Sequence, residues 1–199
     1  MSLLLSAFFP QSLPDPASLT LSDLKTQVPP PFEAILPVFK YTPPLSSLLG
    51  QYKYRFATSF SSYLAQAMAQ VIKLKYKNLL SYWQTNHFQL VPIPLHPLKQ
   101  NFRGFNQTSL LAQELAPLLH LHCLSTLLVR TQFQTPQAKL KSRQQRQAHL
   151  HHPFRLYQPQ FGNYLLFDDV TTTTTTLRQA GDLFTPYLFK PLWGLTLAG

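Results

Sequence analysis

Along residues 59–198, short apolar runs halted by prolines or acids alternate with stretches whose apolar residues recur at helical spacing. That alternation constrains the fold more than any other feature. Phe60, Tyr63, Leu64, Ala67, Met68, Val71 and Ile72 follow the i, i+3, i+4, i+7 rule of a one-faced helix. Lys73, Lys75 and Lys77 would close it at the end where the dipole favours cations. The run His87-Phe-Gln-Leu-Val-Pro-Ile-Pro94 reads as a strand entering a rigid loop. A second helix is expected from Asn106, a good N-cap, to about Ala116, with Pro117 stopping it. Thr126–Arg130, Asn163–Phe167 and Pro191–Ala198 read as strands, and Thr176–Phe184 as a short helix. Strands alternating with helices predict an α/β fold, a parallel sheet flanked by helices on both faces. Ligands of such sheets sit beyond the carboxyl ends of the strands. The loops after Val91 and after Phe167 are therefore the two places to look.

The first part of the chain reads differently. Nine of the 18 prolines precede Leu45. Residues 1–44 are accordingly expected to be a proline-rich, extended and irregular extension with at most one short helix, and residues 45–199 to form the domain. Residues 131–160 are polar, rich in Gln, His and basic residues, and lack a clean period; they predict a loop with a helical turn.

Seventeen Lys and Arg face seven Asp and Glu, a formal charge of +10. Between Ala34 and Phe167 the only acid is Glu114. Such a surface attracts phosphates, nucleic acid or anionic membranes, although Gln standing in for Glu accounts for much of the deficit. No apolar stretch reaches the roughly 18 residues of a membrane-spanning helix. The start MSLLLSAFFP has neither a basic leader nor a small-residue cleavage pattern, so a cytoplasmic protein is expected. The single Cys123 excludes an internal disulfide framework and a Cys-rich zinc site, and no zinc is expected.

Two of the seven acids are adjacent, Asp168 and Asp169, at the end of an apolar run. Six hydroxyl residues follow, Thr171 through Thr176, and then a helix begins. Backbone N–H groups at a helix start suit a phosphate, and Thr hydroxyls can donate to it. Neighbouring carboxylates suit sugar hydroxyls or magnesium, a cation that favours hard oxygen ligands. Sugar-binding acids ahead of a phosphate cradle describe a ribose 5-phosphate site. Read alone, the stretch is equally a low-complexity run behind a solvated helix cap.

This stretch resembles the phosphoribosyl-pyrophosphate motif of type I phosphoribosyltransferases. The wider chain resembles one branch of them, the ComF family of competence-associated, amidophosphoribosyltransferase-like proteins. Five separated blocks carry that resemblance: Gln51-Tyr-Lys-Tyr54; Val91-Pro-Ile-Pro94 with His96 and Pro97; Arg103-Gly-Phe-Asn-Gln107; Arg130 with Thr135-Pro-Gln137, Leu140 and Arg146; and the acidic motif. The resemblance implies a type I phosphoribosyltransferase fold with a flexible hood at residues 131–150. It implies a phosphoribosyltransferase, a glycosyl-transferring enzyme, acting on phosphoribosyl pyrophosphate with magnesium. Asp168 and Asp169 would be the catalytic pair, contacting the ribose hydroxyls directly or through magnesium. Thr172, Thr173, Thr174, Thr175 and Thr176 would hold the 5-phosphate. The backbone of Pro92, Ile93 and Pro94 would face the pyrophosphate, with Arg103 and Arg130 as its cations, because a guanidinium donates two parallel hydrogen bonds to phosphate oxygens. The family pattern has Gly where this chain has Thr174, and the four-cysteine zinc ribbon of many members has no counterpart here.

Other features carry weaker signals. His149, His151 and His152 lie in a basic stretch that lacks a carboxylate to orient a metal ligand. His120, His122 and Cys123 read as structural, and Phe102, Phe105 and Phe133 as rings able to stack on bases. A reading from another class competes with the enzyme: a non-catalytic single-stranded DNA-binding or adaptor protein of DNA uptake, interacting with competence proteins. The +10 charge and the basic segment 139–155 support it.

Overall fold

The computed structural model describes residues 28, 30–42, 45, 57–95, 106–130, 153–170 and 174–199, with the side chains of 57–60 excepted. In chain order the elements are β1 (Phe32–Phe39), α1 (Ala57–Lys75), α2 (Lys77–Thr85), β2 (Phe88–Pro92), α3 (Gln107–Leu118), β3 (His122–Cys123), β4 (Leu128–Arg130), β5 (Phe154–Leu156), β6 (Asn163–Val170), α4 (Thr175–Asp182), a 3-10 turn (Thr185–Tyr187) and β7 (Leu192–Ala198).

Five strands form one sheet in the order β1-β7-β6-β2-β3. Every neighbouring pair in it is parallel. Parallel pairing requires a crossover between strands, and helices supply it on both faces. The α/β architecture is thus as expected, and it is consistent with a type I phosphoribosyltransferase-like fold.

The side-chain period of two divides each strand between two cores. Leu165 and Phe167 of β6, Phe88 and Leu90 of β2, and Trp193, Leu195 and Leu197 of β7 pack with α1, α2 and α3. Tyr164 and Leu166, Val91 and Ile93, and Leu192 pack on the other face with Leu177, Ala180 and Phe184. Leu128 and Phe154 belong to that second core too. Each fully buried large side chain stabilises the fold by about 1.5–3 kcal/mol. The helix over 57–75 buries Leu64, Met68, Val71 and Ile72, the stripe its spacing predicts. Asn106 caps α3 from an extended backbone, its carboxamide oxygen accepting from the Ser109 N–H at 3.4 Å and its amide donating to Ser109 Oγ at 2.8 Å. Pro117 stands one residue before the end of α3.

Four expectations need correction. Residues 32–39, inside the segment expected to be irregular, are the edge strand β1, paired with β7. Ala34, Leu36 and Val38 alternate toward the α1–α3 core, Phe32 joins the opposite core across a register shift, and the exposed Pro37 is tolerated because an edge strand has one unpaired side. Lys77 does not close the first helix: the chain breaks at Tyr76 (φ −124°) and a second helix begins at Lys77. The expected strand over 126–130 is not in the sheet; β4 pairs antiparallel with β5 in a separate ribbon. Finally, β6 does not stop at Phe167 but runs on to Val170, so both acids lie within its last turn of pleat.

One close contact locks the sheet's edge. A Cβ on Gly194 would lie 2.7 Å from Ile35 Cγ1, in the strand residue directly paired with it. The β-branched Ile35 cannot swing clear, so Gly194→Ala should destabilise the fold by about 1–3 kcal/mol. A lower urea midpoint at unchanged m-value is the expected result, with partial recovery on adding Ile35→Ala. An unchanged midpoint would show that β1 is not seated this way.

Candidate functional site

The carboxyl end of β6 is where the sheet opens. Pairing with β2 ends at Pro92 opposite Phe167, whereas pairing with β7 continues through Asp168 opposite Thr196 to Val170 opposite Ala198. Past Phe167 the side chains take over hydrogen bonding to the backbone. The Asp168 carboxylate accepts from the Asp169 N–H at 2.8 Å, and the Asp169 carboxylate accepts from the Val170 N–H at 2.8 Å. Both acids are half-buried, directly after the fully buried run Tyr164–Phe167. Each carboxylate is thereby held against its own strand with a fixed orientation.

Beside them stands Arg130, the last residue of β4. Its guanidinium lies over the ring of its cross-strand partner Phe154, with 5.1 Å between Cζ and the ring centroid. Burial lowers its pKa, and the Asp168 carboxylate opposes that shift. The ribbon of β4 and β5 therefore brings a cation within electrostatic reach of the first acid. Sequence separation hid this pairing, because the two residues come from different elements.

On the other side, Pro92 and Pro94 have no N–H, and the Ile93 N–H donates to the Phe167 carbonyl at 2.8 Å. This bond ties the end of β2 to the residue before Asp168. It also means that Pro92–Pro94, expected to present its backbone to a pyrophosphate, has no spare backbone N–H to offer an anion. Thr174 occupies the N-cap position of α4 at φ −71° and ψ 1°, without a side-chain cap bond. That backbone region is open to any residue, so a glycine there would add room for a ligand and not a conformation. Thr175 is exposed and Thr176 half-buried in the first turn of α4. Arg103, Thr172 and Thr173 lie outside the described residues, as do Gln51–Tyr54, His96, Pro97, Phe102, Phe105 and the whole of 131–152.

Among the described residues no three metal-ligating side chains converge. Two carboxylates do suit magnesium, which keeps waters and ligand phosphates in its shell and rarely takes an all-protein cage. Asp168 and Asp169 fit that ion in their donor chemistry. Among the described residues no helix is long and apolar enough to cross a membrane.

Comparison with known proteins supplies the lineage. The chain is 35% identical over 162 residues to the DNA utilization protein YhgH of Escherichia coli K12, covering 79% of this chain and 68% of the relative. It is 32% identical over 158 residues to the protein of that name from Salmonella typhi, with the same shares covered. It is 27% identical over 179 residues to Competence protein F of Haemophilus influenzae, covering 85% of this chain and 75% of the relative. The chain belongs to the ComF family. No protein-family model matches it.

Two side chains of this ComF-family chain depart from the structural role expected of them. His120 and His122 are exposed, on the wall of an open cleft at the other end of the sheet. Cys123, on β3, is half-buried, and burial pushes its thiol up to about 11. At pH 8 only about one thiol in a thousand would be ionised, which removes it as a nucleophile. Iodoacetamide should therefore alkylate the folded protein at pH 8 at least about tenfold more slowly than the urea-unfolded chain. Equal rates in the two states would refute the buried-thiol account.

Proposed function

We propose that this ComF-family chain binds phosphoribosyl pyrophosphate, or a closely related ribose phosphate, at the carboxyl end of β6, and that it does so in the service of DNA utilisation and competence. The names of its relatives support the second part. One observation carries the first. In a chain with seven acids, two stand side by side where the central strand leaves the core, with Arg130 in reach of Asp168 and a helix starting at Thr175.

The roles follow from donor chemistry. The ribose 2- and 3-hydroxyls donate to the Asp168 and Asp169 carboxylates. The 5-phosphate lies at the start of α4, where Thr174–Thr176 bring hydroxyls to unsatisfied backbone N–H groups. Arg130 presents a guanidinium, already partly stripped of water, to the pyrophosphate, and Arg103 is the second cation. Magnesium, when bound, neutralises pyrophosphate charge. In a phosphoribosyl transfer the two carboxylates, fixed in advance by their backbone bonds, would stabilise the positive charge that develops on the ribose.

Thermal unfolding with and without ligand tests this. Phosphoribosyl pyrophosphate with magnesium, at about a hundred times its Kd, should raise Tm by at least about 5 °C. Asp168→Asn with Asp169→Asn should remove the shift, and Arg130→Ala should weaken binding at least about tenfold, with Arg130→Lys recovering part of it. No shift in folded wild-type protein, or an equal shift in the double Asn variant, would overturn the proposal.

A further inference from the structure

The opposite end of the sheet carries a second feature. Phe161 and Phe189 are 64% and 69% exposed, among the largest apolar exposures of the described residues. Their rings stack at 5.8 Å and 21°, and Tyr187 meets Phe161 edge-on at 6.0 Å. The backbone beneath this group is tied down. The Gly162 N–H donates to the Tyr187 carbonyl at 2.9 Å, and the Phe189 N–H donates to the Gly162 carbonyl at 3.1 Å. The hydroxyl of the buried Tyr164 donates to the Gln160 carbonyl at 2.6 Å, which fixes the residue before Phe161 to β6. Exposed rings on a fixed backbone lose little entropy when a partner covers them, and aromatic rings concentrate at the centres of protein interfaces.

The rings are bordered by hydrogen-bond donors. Gln160, next to Phe161, is also a wall residue of a cleft of about 450 Å³, whose other polar walls are Gln84, His87, Gln89, His120 and His122. Carboxamide and imidazole groups can each donate to a carboxylate, and no carboxylate lines the cleft to repel one. Lys190 is exposed directly after Phe189. The nearest acid in sequence, Asp182 at the end of α4, is not part of the cleft wall. Among the described residues other than glycine, those with positive φ are His87 at 52°, His120 at 53° and Gln158 at 48°. Two of them are on the cleft wall, and the third is in the loop that leads to Phe161. Backbone conformations of this uncommon kind gather where ligands are held.

From these observations we infer that the amino-terminal end of the sheet docks an acidic segment of a partner protein. An aromatic or large aliphatic side chain of that segment sits on the Phe161–Phe189 stack. Its carboxylates face Lys190 and the donors of the cleft. The net charge of +10 draws an acidic partner to this chain and sets two copies of it against each other, so a second copy is the poorer occupant of the same rings. β6 has eight residues and so separates this end from Asp168 by roughly 25 Å. The surface is thus distinct from the proposed ribose phosphate site and does not depend on it.

Phage-displayed random dodecapeptides test this, selected on the full chain and depleted on the variant carrying both Phe161→Ala and Phe189→Ala. The survivors should carry an aromatic or large aliphatic residue among a surplus of Asp and Glu. The leading peptide, synthesised with a fluorophore, should bind wild-type protein with an affinity that falls as salt rises. The double Ala variant should bind it at least about tenfold more weakly, while keeping its cooperative unfolding and any Tm shift given by phosphoribosyl pyrophosphate. Lys190→Glu should weaken binding at least about threefold, and exchanging the peptide's acids for their amides at least about tenfold. Failure to enrich any sequence, survivors that are neutral or basic, or full affinity in either variant or for the amide peptide would overturn the inference. So would sedimentation showing a wild-type dimer that the double Ala variant abolishes, because the rings would then serve a second copy of the chain.

Discussion

A strand paired along both edges and covered on both faces can carry only apolar side chains until it leaves the core, and β6 obeys that constraint from Tyr164 to Phe167. β7 and β2 hold its edges, while α1–α3 cover one face and α4 with the β4–β5 ribbon covers the other. Asp168 is the first residue at which one of those covers fails, because the pairing with β2 has just ended. The acids therefore stand at the boundary between a dry core and solvent. A carboxylate there has backbone N–H groups as partners and Arg130 nearby, and is spared the full cost of burial. The position of the candidate site thus follows from the packing of one central strand, and the rest of the sheet serves to keep that strand central.

Much of this was legible in the sequence because the signals were local. The run Tyr164–Phe167 has no charged or amide residue in it, which marks a strand buried on both faces. Asn106 and the Leu111, Leu115 spacing marked α3. What stayed hidden had one of two causes. Some local signals contradicted one another: Phe32, Ala34, Leu36 and Val38 alternate as a strand should, but Pro37 and the prolines before them argued for irregular chain. Likewise β3, with two residues, is too short to leave a pattern. The strand over 163–170 runs three residues beyond its apolar part, because pairing with β7 overrides the low strand propensity of Asp.

Other features were non-local and had no signature to read. Nothing near Arg130 announces that β4 leaves the sheet and pairs with β5 to set the guanidinium beside Asp168. The Phe161–Phe189 stack brings together the entry to β6 and the entry to β7, two segments whose exposed aromatics look incidental when read separately. His120 and His122 read as structural in the sequence, and nothing local there announces the positive φ at His120 or the cleft that both side chains line. Local chemistry announced the acidic end of the sheet, whereas tertiary contacts made the aromatic one.

The edge pairing of β1 with β7 bears on how the chain reaches its fold. Phe32 lies opposite Leu192, Phe39 lies opposite Ala198, and the Gly199 N–H donates to the Phe39 carbonyl. Nearly the whole described sequence intervenes between the two partners, so among the described residues this strand pairing closes the longest loop and carries the largest closure entropy. During synthesis β1 emerges early and has nothing to pair with until the last strand leaves the ribosome. Prolines flank it. The proline richness that disguises β1 as irregular chain also makes it a poor template for unwanted strand pairing before its partner is made.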